Sequence, residues 1–304
     1  MRRYRSILHL LLGLMLMASC GEQRPVHIKM VCTSDVHAAY YPYDFLEGRP
    51  TSGSLARVSS YLNELRSPSA YGDNVIYVDN GDIMHGGPAA YYYNTVAIQP
   101  EHVAAEALDY LGCEATMLGN HEIETGGPTY QRYVRDLQCP TLGGNIYLEE
   151  SDVAFLRPYT VIEREGVRIA VMGLTTPAVP EWLPRALWQG LEFRDMESQA
   201  QRWMTYLREK ESPDLVIGLF HSGLEGGIVT EEYAENATRA VAEKVPGFDA
   251  IFYGHVHQAK CEQVVNVEGD TVLLLNSGKD AHLIAALDVV FDQEGRAKLE
   301  ASLV

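Results

Sequence analysis

Asp35-Val36-His37 and His255-Val256-His257 each hold two metal-ligating side chains two positions apart, just past an apolar run. Gly81-Asp82, Gly119-Asn120-His121-Glu122 and His221 occupy the same kind of place. Carboxylate, amide and imidazole donors together suit Zn, Mn, Fe, Co or Ni better than Ca or Mg. Asp82 follows a glycine, which lets backbone approach closely, and its two carboxylate oxygens can bridge two ions. Two ions roughly 3.5–4 Å apart steady both the attacking and the leaving oxygen of an in-line displacement. They also draw the pKa of bound water toward neutrality. The donor set therefore points to hydrolysis of a phosphate ester by a metal-bridging hydroxide, with no serine or cysteine nucleophile. His121 neighbours a ligand and faces the substrate, where it stabilises phosphoryl oxygens or protonates the leaving group.

Taken singly, each motif is weak. Asp-x-His usually marks a polar turn, Gly-Asp a loop, and a histidine after a strand a packing residue. Their weight comes from recurrence in order over more than 200 residues. His27 and His102 are expected to be structural or surface residues. His85 lies near Asp82 and is a candidate substrate contact.

The elements that must carry these groups alternate. Strands are predicted at 26–34, 75–78, 115–118, 141–146, 215–220, 250–253 and 283–291. Helical spacing covers 54–66, 100–111, 129–137 and 196–210, with Asp195 as N-cap of the last. A long helix is predicted over 230–245. Hairpins are expected around Glu165-Gly166 and Glu268-Gly269-Asp270. Alternation of strand and helix predicts an α/β architecture with much parallel pairing. Every motif then sits beyond the C-terminal end of a strand, where open α/β sheets collect functional groups.

Residues 1–20 read as a leader: Arg2, Arg3 and Arg5 precede an apolar run, and Leu16-Met17-Ala18-Ser19-Cys20 resembles a bacterial lipobox. Cleavage before Cys20 and a lipid on its sulfur are expected, giving an exported protein anchored to a bacterial membrane, on its periplasmic side. Taking those three arginines from the 24 basic residues leaves 21 against 41 acidic ones, so the formal charge moves from −17 to −20. Such a surface argues against nucleic-acid binding. It also repels an anionic substrate, and concentrated metal charge answers that repulsion. Cys32, Cys113, Cys139 and Cys261 show no metal or redox spacing and are read as free thiols, although export permits a Cys113–Cys139 bridge. No linker or repeat is visible, so residues 21–304 are read as a single catalytic domain.

The ordered motifs resemble those of the calcineurin-like metallophosphoesterase superfamily over residues 26–292. Val78-Asp79-Asn80-Gly81-Asp82, Thr33-Ser34-Asp35-Val36-His37, His221-Ser222-Gly223, Leu174-Thr175-Thr176-Pro177 and Pro180-Glu181-Trp182 are similar to the N-terminal domain of the 5′-nucleotidase and 2′,3′-cyclic-nucleotide phosphodiesterase branch. The resemblance implies a four-layer α/β/β/α sandwich with mixed sheets. It implies two divalent transition-metal ions, one held by Asp35, His37 and His257, the other by Asn120, His221 and His255, with Asp82 between them. Nucleotides are the implied substrates, as 5′-monophosphates or 2′,3′-cyclic phosphates. A broad phosphoesterase is the rival enzyme reading, and a non-catalytic metal-binding surface protein the rival of another class. The family's aspartate that orients the catalytic histidine is replaced here by Glu124. Its C-terminal domain, which stacks the nucleobase, is expected to be absent after Val304. A separate polypeptide like that domain is then expected to dock on the metal-bearing face. Tyr40, Tyr41, Tyr43, Tyr91 to Tyr93, Trp182 and Trp188 are the rings within reach of a base. Trp182 and Trp188 are carried as candidate substrate contacts, and the rest are read as loop packing.

Overall fold

The computed structural model describes residues 25–304; the leader and Cys20 lie outside the described residues. Twelve strands build two sheets of six. They are β1 (Val26–Thr33), β2 (Val75–Asp79), β3 (Cys113–Met117), β4 (Thr141–Leu142), β5 (Tyr159–Arg164) and β6 (Val167–Thr175). The others are β7 (Leu215–His221), β8 (Ala250–Tyr253), β9 (Lys260–Val265), β10 (Thr271–Asn276), β11 (Ala285–Phe291) and β12 (Ala297–Leu303). The first sheet runs β12-β11-β1-β2-β3-β4 and the second β9-β10-β8-β7-β6-β5. In each, the central strands are parallel and antiparallel strands lie at an edge.

Side chains alternate across a strand with period two, and three core clusters follow from that alternation. Ile28, Met30 and Cys32 of β1 and Ile76 and Val78 of β2 point into the space between the sheets. Leu215, Ile217 and Leu219 of β7 meet them there. Val31, Val75 and Tyr77 point the other way, onto α1 (Leu55–Leu65), α3 (Val103–Tyr110) and α5 (Gly127–Asp136). Val216 and Phe220 point outward onto α6 (Met196–Tyr206) and α7 (Thr238–Lys244). Strands buried on both faces need continuous apolar runs, and β2, β7 and the Met30–Cys32 half of β1 have them. The result is the expected four-layer α/β/β/α sandwich. Among the described residues no helix is long and apolar enough to cross a membrane.

Local signals explain most boundaries. Ser54 accepts from Arg57 N and Asp195 from Ser198 N, capping α1 and α6. His102 is buried and caps α3, accepting Ala104 N on Nδ1. Burial lowers its pKa to about 4, so the acceptor nitrogen stays unprotonated. Three expectations fail. The helix predicted over 230–245 is helical only over Thr238–Lys244. Glu235 and Asn236 spend their side chains on Ile228 N and Gly223 N, which fixes that stretch as an irregular loop. Residues 141–146 are not one strand but two short ones, Thr141–Leu142 and Ile146–Leu148. Leu156 and Trp203 crowd Gly143 and Gly144 where the strands part. α2 (Pro88–Thr95) and β12 were not expected. α2 has an exposed face bearing Tyr91 and Tyr92 and therefore no apolar stripe, though Gly87-Pro88 is a helix-start signal. All four described cysteines are free, so no Cys113–Cys139 bridge forms.

Candidate metal centre

The parallel strands β1, β2 and β3 of one sheet and β7 and β8 of the other end at the same seam. Asp35 and His37 follow β1, Asp82 follows β2, and Asn120 opens the short helix α4 (Asn120–Glu124) after β3. His221 closes β7, and His255 and His257 follow β8. The seam is stitched across the sheets. Asn80 Nδ2 donates to Phe220 O at 2.9 Å, and Asn80 O lies 2.7 Å from His221 Nδ1.

The local backbone is strained where donors converge. Asp35, His37, Asp82, His255 and His257 have φ of 52°, 47°, 57°, 72° and 57°. Left-handed backbone is uncommon for residues with a Cβ and collects at functional sites. Hydrogen bonds hold it: Asp35 N to Gly81 O at 3.0 Å and His37 N to Asp82 O at 2.9 Å. Buried Glu122 collects four more, from Asp82 N, Ile83 N, Met84 N and Gly119 N, at 2.7–3.0 Å. Two glycines make room. A Cβ on Gly254 would stand 2.0 Å from Ser34 Oγ and 2.6 Å from Asp35 Oδ2. One on Gly119 would stand 2.2 Å from Asp82 Oδ1.

Two donor groups result. Asp35, His37 and His257 each bring a ligand atom within 4.8 Å of the others, and so do Asp82, His221 and His255. Asn120 Oδ1 joins the second group, 2.9 Å from His255 Nδ1 and 3.3 Å from His221 Nε2. A third grouping links His37, His85 and His121.

The donor chemistry fits divalent cations. His37 Nδ1 is buried without a hydrogen-bond partner, and its Nε2 lies 2.9 Å from His257 Nε2. Burial lowers the His37 pKa to about 4, against the pull of Asp82 and Asp35, so the ring stays neutral with one nitrogen lone pair free. Burial and His221 lower His255 as well. Burial opposes the Asp82 charge, yet His221, His121 and His37 outweigh it and hold the carboxyl below the usual carboxylate range. Burial likewise opposes a proton on His221, but Asp82, 3.0 Å away, raises that pKa well above the usual histidine value. A bound cation would take that proton's place, as metal ligation requires neutral imidazole. Outer partners fix which ring nitrogen faces inward. Asn80 O takes His221 Nδ1, and Glu235 Oε1 sits 3.1 Å from His255 Nε2, leaving Nδ1 for the site.

All seven sequence-chosen donors meet at this seam, with His121 beside them. His121 N donates to Asp82 Oδ1 at 2.9 Å, and its ring Nδ1 lies 2.6 Å from Glu124 Oε2. The longer glutamate thus reaches the histidine. His85 stacks on His121 with ring centres 4.2 Å apart. Trp182 stacks on His255 at 5.4 Å. Trp188 is engaged internally, its Nε1 donating to Leu183 O and Arg185 lying 4.0 Å over its face. Sequence reasoning passed over the supporting roles of Glu122, Asn80 and Glu235. Glu122 and Asn80 stood inside motifs already singled out; Glu235 gave no local sign.

A family model described as calcineurin-like phosphoesterase matches residues 28–259. The chain belongs to the calcineurin-like phosphoesterase family. This family works with divalent metal ions, in keeping with the two donor groups. Among curated relatives, a 2′,3′-cyclic-nucleotide 2′-phosphodiesterase/3′-nucleotidase of Yersinia enterocolitica is 27% identical over 80% of this chain and 38% of its own length. A 5′-nucleotidase of Vibrio cholerae is 28% identical over 77% of this chain and 41% of its own. The crystal structure of calcineurin-like phosphoesterase YfkN from Bacillus subtilis superposes with a TM-score of 0.79 at 24% identity, covering 92% of this chain and 91% of that one. That likeness supports the fold. The chain spans well under half the length of these two curated relatives.

Proposed function

We propose that this chain hydrolyses phosphate esters of nucleotides, 5′-monophosphates or 2′,3′-cyclic phosphates, at a two-ion centre. The observation that carries the reading is the pair of adjoining donor groups with a carboxylate-backed histidine beside them. Asp35, His37 and His257 would hold one ion and Asn120, His221 and His255 the other, with Asp82 between. Two such ions supply Lewis acidity, lowering the pKa of water and neutralising phosphoryl charge. The chain's own residues do the rest. Glu124 holds His121 Nδ1, so Nε2 is the atom that delivers a proton to the leaving oxygen. Glu235 and Asn80 aim His255 and His221, and Glu122 locks the backbone that carries Asp82. Export on a Cys20-linked lipid belongs to the same reading; labelled fatty acid incorporated by wild type and lost in Cys20→Ser checks it.

Chelator-stripped protein should lose turnover of bis-p-nitrophenyl phosphate, AMP and 2′,3′-cyclic AMP. Mn, Co or Zn should restore it, with about two ions per chain by elemental analysis. Full turnover in stripped protein with no bound metal overturns the two-ion reading.

A further inference from the structure

We propose that this chain carries its own subsite for a flat aromatic leaving group, in the cleft between Leu46 and helix α2. The proposal rests on the phosphoesterase reading and deepens it. A proton delivered at His121 Nε2 goes to the leaving oxygen, so the departing group lies on the His121 side. There the surface is a cleft of about 770 Å³ bounded by His85, Leu46, Pro88, Tyr91, His121 and Glu124.

Leu46 and Tyr91 are 76% and 68% exposed, so neither contributes to the core. The backbone that carries each is nevertheless held in place. Leu46 tips a hairpin that pairs Tyr43–Asp44 with Arg49–Pro50. Asp44 Oδ1 fixes that tip by accepting Leu46 N and Glu47 N at 2.9 and 3.0 Å. Tyr91 rides on α2, where Asn94 Nδ2 donates to Met84 O at 2.8 Å and Arg132 binds Tyr93 O and Ala97 O. Phe45 meets Tyr43 and Tyr41 edge to face at 5.2 and 6.4 Å, which stiffens the hairpin itself.

A rigid apolar wall at the mouth of a charged site loses little entropy on binding. His85 lies within 12° of parallel to His121 and is itself exposed. The two imidazoles form a stack, and both line the cleft. A nucleobase extends such a stack; a bare sugar does not. Stacking tolerates any base, so the subsite favours nucleotides over other phosphate esters without selecting among adenine, guanine, cytosine and uracil.

The test compares AMP with ribose 5-phosphate, whose leaving oxygens are alike and which differ by the base. Metal-loaded protein should favour AMP by about tenfold or more in kcat/KM, the range of one base–aromatic stack. Tyr91→Ala should bring the ratio close to one, mostly through KM for AMP, and Tyr91→Phe should keep it. Adenosine, which needs no metal, should bind wild type and Tyr91→Phe by calorimetry and fail to bind Tyr91→Ala. A wild-type ratio near one, or a ratio unmoved by Tyr91→Ala, overturns the subsite; the exposed wall then serves a second polypeptide. Turnover of neither substrate, nor of 2′,3′-cyclic AMP, together with Tyr91-dependent adenosine binding overturns the phosphoesterase reading and leaves the subsite standing.

Discussion

At the scale of single residues, His121 separates into two parts. Its backbone N–H serves Asp82, and its ring, backed by Glu124, serves the substrate. Alanine keeps the first and removes the second. His121→Ala should therefore lower kcat by roughly 10²–10⁴-fold while metal content by elemental analysis stays near that of wild type. Loss of an ion in the variant would show the ring to be a ligand. The donors themselves were legible in the chain, because their residue types and their places after strands identify them without coordinates. Glu122 and Glu235 were not legible in their roles. One organises four backbone N–H groups and the other stands behind a histidine 20 residues away. Sequence carries residue types; it does not say which backbone amide a carboxylate will find.

At the scale of elements, apolar runs gave most strands of both sheets, because two buried faces demand them. That signal failed where polar side chains replaced apolar packing as the organiser, in the loop before α7, and where an element has a solvent face, as in α2. Asp249 shows the cost of a polar group at a strand start. It precedes β8, and its Oδ2 accepts Val216 N at 2.8 Å. Burial raises its pKa from 3.8 to about 6, the Val216 N–H opposing and Asp270 adding to the rise. A carboxyl whose folded pKa lies above its unfolded one gives stability that is complete below the unfolded value and is lost as pH rises through the folded one. Between pH 4 and 7 the loss from this group is on the order of 2–3 kcal/mol. The Asp249→Asn substitution keeps an acceptor for Val216 N and removes the ionisation. The variant should thus match wild type in urea midpoint near pH 4 and exceed it at pH 7. Equal midpoints at both values would remove Asp249 from the pH dependence.

At the scale of the whole molecule, the candidate centre belongs to neither sheet. Asp35 accepts His255 N, joining the loops after β1 and β8 across 220 residues of chain. A centre divided in this way is assembled only when both sheets are in place, and bound metal should in turn raise the stability of the pair. The four layers could be expected from the motifs and their resemblance. The order of strands could not, because a sheet's edge is a matter of which late strand returns to which early one.

That order has a consequence during synthesis. β1 lies in the middle of its sheet, with β2 on one side and β11, more than 250 residues later, on the other. Until residues 285–291 emerge, β1 offers one row of unpaired amides and carbonyls beside an apolar face of Ile28, Met30 and Cys32, a template for pairing with other chains. Ending the chain at residue 283 removes β11 and β12 and makes that state permanent. The shortened chain should sediment as aggregates at concentrations where the full chain is dispersed, even though every candidate ligand is still present. A dispersed, metal-binding product from that truncation would show that β11 is dispensable as a cover for β1.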